Sequence, residues 1–193
     1  APAEIVEDVS LGEEAIAALT GARPVGFRAP GYNLDGDLFE VLARRGYLYD
    51  SSVFPCPLYY AAKGAVMAWL RWRGRPSRSA MTHLGMQRAP ITPYRPSPRD
   101  VWRGGGDASR PLEIPMCVVP GARLPVIGTS LQVMGAAGFA AIYPALRRAH
   151  RRLLQLEFHA IDFMDADDEG VEALAGVQPD LRVPWPTKRA RYH

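Results

Sequence analysis

The stretch PVGFRAPGYNLDGDLFEVLARRGYLYD, residues 24–50, decides the fold class. Pro24-Val-Gly-Phe-Arg28 reads as a short buried strand stopped by Pro30-Gly31. Asp35 is placed to cap a helix across Asp37 to Arg45, with Leu38, Val41 and Leu42 on one face and Gly46 as its stop. Tyr47-Leu-Tyr-Asp50 is a second short strand. Upstream, Ser10-Leu-Gly-Glu13 has the form of a capping box, which predicts a helix over Leu11–Leu19 ended by Thr20-Gly21. Helix, strand, helix, strand in that order is the pattern of an α/β architecture with parallel strands.

The rhythm breaks over residues 55–111. An apolar, helix-like run (59–72) leads there into Arg-, Ser- and Pro-rich sequence, which reads as an insertion. Beyond it, Leu112–Val119 reads as a strand interrupted by Pro115, and Gly135–Arg152 as a helix with Pro144 at a kink or start. Leu153–His159 alternates, with Leu154, Leu156 and Phe158 on one face, and so predicts a strand. Asp167 or Asp168 would cap a short helix to Leu174.

The chain has 193 residues, is 48% apolar and 22% charged, and carries a formal charge of +3, as a globular domain does. No apolar run reaches 18 residues, so the sequence offers no transmembrane segment; Tyr59 to Leu70 spans 12 and contains Lys63. Cys56 and Cys117 have neither a disulfide framework nor zinc-finger spacing. Charge is uneven: residues 61–110 hold ten bases and two acids, and residues 157–172 hold seven acids and no base. Interleaved Arg and Trp suggest a nucleic-acid surface, but the overall balance is mild and no nucleic-acid motif is present, so no nucleic-acid partner is expected. Asp165–Gly170 begins like a calcium loop, yet Gly176 stands where a bidentate Glu is needed. Gly104–Gly106 lacks the strand and Lys of a phosphate cradle, and no elbow motif makes Ser51, Ser52 or Ser130 a nucleophile.

Function in α/β proteins collects at the carboxyl ends of parallel strands. Arg28, Asp50 and His159 each end a predicted strand, and Glu113 lies near the same rim as a core-edge ion pair or a supporting partner. A charged group fed out of a buried strand needs a partner or a task. Here a resemblance carries further. Phe27-Arg-Ala-Pro-Gly-Tyr32 resembles the R-x-P-Y motif of the polysaccharide deacetylases (NodB homology, carbohydrate esterase family 4). Leu156-Glu-Phe-His159 is similar to that family's late L-x-x-H, and Asp50-Ser-Ser-Val-Phe54 stands where the family has D-x-x-D-W.

The resemblance implies a distorted, incomplete (β/α) barrel of the NodB type across residues 1–193, with the Pro/Arg-rich insertion at about 55–111. It implies hydrolysis of acetyl groups from acetylated sugars by a water on a divalent metal, zinc in most members, and a bacterial-type envelope polysaccharide pathway. By position, His159 would be the general acid and Arg28 would orient and charge-balance a catalytic carboxylate. Leu156 would line the acetyl-methyl pocket, Asp50 would be the first Asp of the middle motif and Phe54 its surviving apolar wall; Tyr32 reads either as stacking on a sugar ring or as ordinary loop packing. Arg28 and His159 are expected to face one hollow. The family's Asp-Asp pair and H-x-x-x-H motif, which supply the base and the metal ligands, are not in this sequence; the four His are His83, His150, His159 and His193, no two of them four apart. A chain lacking the family's N-terminal third, holding no metal of its own and inactive alone, is the expectation. A non-catalytic carbohydrate-binding or scaffold module is the alternative.

Overall fold

The computed structural model describes residues 2–75, 81, 83–151 and 153–192. The chain divides into two units, Ala1–Met116 and Cys117–His193.

In the first unit, α1 (Ala3–Thr20) is followed by β1 (Gly26–Phe27), α2 (Gly36–Arg44), β2 (Tyr49–Asp50), α3 (Pro57–Trp72) and β3 (Leu112–Glu113). The three strands form a parallel sheet in the order β1-β2-β3, pairing Phe27 with Asp50 and Asp50 with Glu113. Parallel α/β alternation is therefore present, in a helix-rich unit whose small sheet is not a closed barrel. Backbone bonds extend the pairing beyond the strands: Leu48 N to Val25 O at 2.8 Å, Ser51 N to Phe27 O at 2.9 Å and Ile114 N to Asp50 O at 2.8 Å. The Tyr49 ring on the neighbouring strand lies over the glycine of β1, where a Cβ at Gly26 would sit 2.1 Å from Tyr49 Cζ and the ring would have to shift.

Asp35 caps α2 as expected, its Oδ1 accepting from Leu38 N at 2.8 Å, and Gly46 follows in the left-handed region at φ 75°. Val41 and Leu42 pack with Val9 and Tyr47 into a buried cluster, against which Ile5, Phe27 and Leu38 lie. The predicted start of α1 is corrected. The helix begins at Ala3, so Ser10 lies inside it and its Oγ donates to Val6 O at 2.7 Å. Glu13 is drawn away from capping by two arginines, accepting from Arg23 Nη2 at 2.9 Å and Arg45 Nε at 3.0 Å.

The second unit contains α4 (Gly128–Ala149), α5 (Glu172–Ala175) and α6 (Trp185–Tyr192). Its core is Cys117, Val126, Leu131 and Leu146, with Leu154, Leu156 and Tyr192 against them. Leu153–His159 does not form the predicted strand. Leu154 and Leu156 are half-buried against the core cluster, but Phe158 is exposed and Glu157 buried, so the alternation does not hold to the end. A strand also needs a ladder, and here the described backbone bond is Gly128 N to Glu157 O at 2.8 Å. α4 starts before the predicted Gly135, and that glycine, at φ 64° and ψ −178°, is where the helix breaks; Pro144 sits within the second half. The predicted end of that helix, Arg152, lies outside the described residues. The short helix near residue 170 begins after Val171 rather than at Asp167 or Asp168.

The Glu13 node makes a stability prediction. Hydrogen bonding from Arg45, ahead of that from Arg23, holds the Glu13 carboxyl down to about 2 from its ordinary 4.5. A carboxylate held low contributes stability that is present above 4.5 and is lost as pH falls toward about 2. Glu13→Gln should lower unfolding stability by about 1–3 kcal/mol at neutral pH and flatten the acid limb of a denaturation-midpoint-against-pH curve.

Candidate functional site

The rim of the first unit is built where β2 and β3 end. Register places Asp50 beside Glu113, and neither carboxyl is accessible to solvent. Asp50 Oδ1 accepts from Ser52 Oγ at 2.7 Å and Oδ2 from Ser52 N at 3.1 Å. Glu113 Oε1 accepts from Val53 N at 3.0 Å, but its Oε2 meets no donor from the rest of the protein. Burial first, and then the neighbouring Asp50 charge, holds the Glu113 carboxyl well above the usual carboxylate range. Burial also raises Asp50, against the hydrogen bonds from Glu113 and Ser52. Glu113 and Asp50 are therefore a buried pair of neighbouring carboxyls. Tyr94 bridges to the Glu113 backbone in both directions, and its hydroxyl donates to Val101 O at 2.9 Å.

Arg28 leaves β1 on the same rim. Its Nε donates to Ser51 O and its Nη2 to Ser51 Oγ, both at 3.0 Å, while Ser51 Oγ donates to Ile114 O at 2.7 Å. Ser52 Oγ in turn accepts from Ala29 N at 2.8 Å. The sequence Asp50-Ser-Ser thus latches three strand ends through side chains. Arg28 lines an open cleft of about 580 Å³ whose polar wall also includes Asp8, Asn33 and Asp35. Tyr32 and Phe54 are buried together, ring centroids 5.1 Å apart, with Tyr59 completing the cluster at 5.5 Å from Tyr32. Asp50, Phe54, Tyr32 and Arg28 therefore belong to one neighbourhood.

Leu156 and His159 lie in the second unit. Leu156 lines a cavity of about 280 Å³ with Leu131, Phe139, Phe158, Arg191 and Tyr192. The His159 side chain is 64% exposed. It is oriented by a residue that sequence reasoning missed: buried Asp162, whose Oδ2 accepts from His159 N at 2.7 Å and stands 3.9 Å from His159 Nδ1. Gln132 Nε2 reaches Asp162 Oδ1 at 3.4 Å, and Tyr192 OH donates to the Asp162 carbonyl at 3.2 Å. The signal was available, since an Asp three residues after a turn-starting residue has capping spacing. Asp162 also explains Gly128, where a Cβ would come within 2.3 Å of Asp162 Oδ2.

The described residues do not fit the expected divalent metal, for no three of His, Cys, Asp and Glu converge among them. No chemical step is drawn through one.

Two predictions follow the geometry. An acid whose folded pKa is raised contributes stability that is complete below its ordinary 4.5 and is lost as pH rises through the folded value. Glu113→Gln keeps an acceptor for Val53 N and gives Asp50 an amide donor. Urea midpoints of this variant should decline less with rising pH than those of the parent chain; an unchanged slope would contradict the raised Glu113 carboxyl. In the second unit, Gly128→Ala should displace Asp162, lower stability by about 1–3 kcal/mol and shift the His159 backbone amide resonance.

No protein-family model matches the chain, and no solved structure does. Among curated proteins, a peptidoglycan deacetylase-like protein, FGM2 of Gibberella zeae, is 51% identical over 49 residues. The match covers 24% of this chain and spans only 14% of that relative's length. It supports a polysaccharide deacetylase relationship for the matched segment. The relative is fungal, so it lends nothing to the bacterial expectation.

Proposed function

We propose that this chain carries part of a deacetylase of acetylated sugars or polysaccharides, an activity that cleaves a non-peptide C–N bond when the acetyl group is an amide. The observation that supports this reading is Arg28: a guanidinium at the carboxyl end of a parallel strand, fixed by Ser51, on the wall of an open cleft. The likeness to a deacetylase-like protein points the same way. Arg28 provides positive field for a catalytic carboxylate or a developing oxyanion. His159, with an exposed side chain and a backbone held by Asp162, would be the proton donor to a leaving nitrogen. Leu156 offers an apolar wall for an acetyl methyl. Asp50, Phe54 and Tyr32 hold the Arg28 rim from behind.

In this reading the 193 residues alone bind sugar but do not turn it over, because a metal-dependent step needs about three ligands in fixed geometry. The same observation about ligands favours the second reading, a non-catalytic carbohydrate-binding module.

The test combines acetate release and calorimetry with an acetylated chito-oligosaccharide, with zinc or with chelator. The expected result is no acetate, binding indifferent to chelator, and about tenfold weaker binding in Arg28→Ala. Absence of glycan binding would remove the carbohydrate reading. Acetate release that disappears in His159→Ala would overturn the inactivity of these residues and make the chain itself the enzyme.

A further inference from the structure

α3 departs from what a surface helix of a globular domain looks like. Its sequence, PLYYAAKGAVMAWLRW, is apolar nearly all round, yet Tyr60 is its one buried residue. The first turn is anchored, with the Tyr59 ring tilted against Phe54 at 5.1 Å and Tyr60 OH against Met86 Sδ. One stripe, Tyr59, Lys63, Gly64, Met67 and Leu70, stays half-buried along the helix, and the opposite side faces solvent. Leu58 and Val66 are exposed, Trp69 is 50% exposed and Trp72 83%. Scattered apolar residues on a surface are ordinary, but a whole helix of them marks something that covers it.

Charge says what. Residues 51–99 contain eight Lys and Arg and no acid. Arg71 lies between the two tryptophans and Arg73 and Arg75 follow them, and among the described residues none of the three meets a carboxylate. Arg73 instead lies over the Trp69 ring, 5.1 Å from its centroid. Tryptophan with arginine at the end of an apolar helix suits the level of lipid headgroups, where the indole sits at the interface and the guanidinium meets phosphate. Sixteen residues span roughly 24 Å, short of the hydrocarbon core, and no helix is long and apolar enough to cross a membrane. Such a helix lies in the interface plane.

The second unit repeats the pattern independently. Residues 114–156 contain no acid, α4 exposes Val133 and Tyr143, and its end carries Arg147 and Arg148. With Tyr143, Pro144 and Arg151 these line an open cleft of about 470 Å³ without a carboxylate. Two apolar helices, each in an acid-free stretch and each ending in aromatic residues and arginines, fit an anionic surface better than a protein partner of mixed charge.

We propose that α3 is a membrane-surface helix that docks this protein onto an anionic lipid bilayer, with Leu58, Val66, Trp69 and Trp72 in the headgroup–acyl boundary and Arg71, Arg73 and Arg75 on lipid phosphates. This goes beyond the deacetylase reading and stands without it.

The experiment is co-sedimentation and tryptophan fluorescence of the full chain with vesicles of phosphatidylcholine alone or of phosphatidylcholine with a quarter phosphatidylglycerol. Binding is expected on the anionic vesicles, weakened by salt, with a blue-shifted emission. Arg71→Gln with Arg73→Gln should lower anionic partitioning about fivefold per arginine. Trp69→Ser with Trp72→Ser should lower it at least about tenfold. All four positions are exposed, so circular dichroism should be unchanged. Equal binding to both vesicle types, or no loss in either variant, would overturn the proposal. So would a lipid-free dimer that dissolves in the tryptophan variant, or a single-stranded oligonucleotide bound more tightly than the vesicles.

Discussion

The burial of two carboxyls side by side, Asp50 and Glu113, is the constraint from which the rim of the sheet follows. Register sets the two carboxyls side by side, and burial denies both of them water. Burial pushes both carboxyls up from the ordinary carboxylate range, Glu113 well above it. Their lone pairs organise backbone. Asp50 takes Ser52 N and Oγ, Glu113 takes Val53 N, and Ser52 Oγ reaches Ala29 N.

Why so much side-chain latching is needed is plain from the strands. Each has two residues, and ladders of that length give little cooperativity. The turn after β2 supplies the missing connections, and Ser51 uses both its carbonyl and its hydroxyl to hold the Arg28 guanidinium. Arg28 is thereby fixed by contacts made before any ligand arrives, which is the condition for a charge to act on a bound group without reorganisation. In the second unit the same economy appears on a smaller scale: one buried carboxylate, Asp162, sets the backbone of His159, and the absence of a side chain at Gly128 gives it room.

The legible parts were those written in local chemistry. Asp35, Gly46 and the apolar spacing of Leu38, Val41 and Leu42 announce α2 because a cap, a left-handed glycine and a stripe are each sequence-local. The parallel pairing of β1 with β2 follows from the alternation around it. Ser10 misled because a capping box and a serine within a helix share a sequence; the decision lay with Arg23 and Arg45, which draw Glu13 away. Leu153–His159 misled because alternation reports which side chains are buried, and two leucines against a helical cluster satisfy it as well as a ladder does. Glu113 could not be read as half of a carboxyl pair, since its partner is 63 residues away and only register brings them level.

Charge along the chain separates two kinds of surface, and this segregation has a physical consequence. Acids crowd into residues 1–20 and 157–172, where they serve as local partners: Glu13 for Arg45, Asp162 for His159, Asp165 for the Trp185 amide. Bases fill stretches that contain no acid at all, and the helices there keep apolar side chains in solvent. An arginine without a carboxylate partner keeps its full charge available to an external anion, whereas one already paired, such as Arg110 with Glu40, has its field largely cancelled. The same residue type therefore performs two tasks here, and what distinguishes them is whether the fold brings a partner to it: Glu13 reaches Arg45 across 32 residues and Glu40 reaches Arg110 across 70. Arg28, Arg45 and Arg110 build structure; Arg71, Arg73 and Arg75 face outward beside exposed tryptophan, with apolar area and positive charge on one helix end.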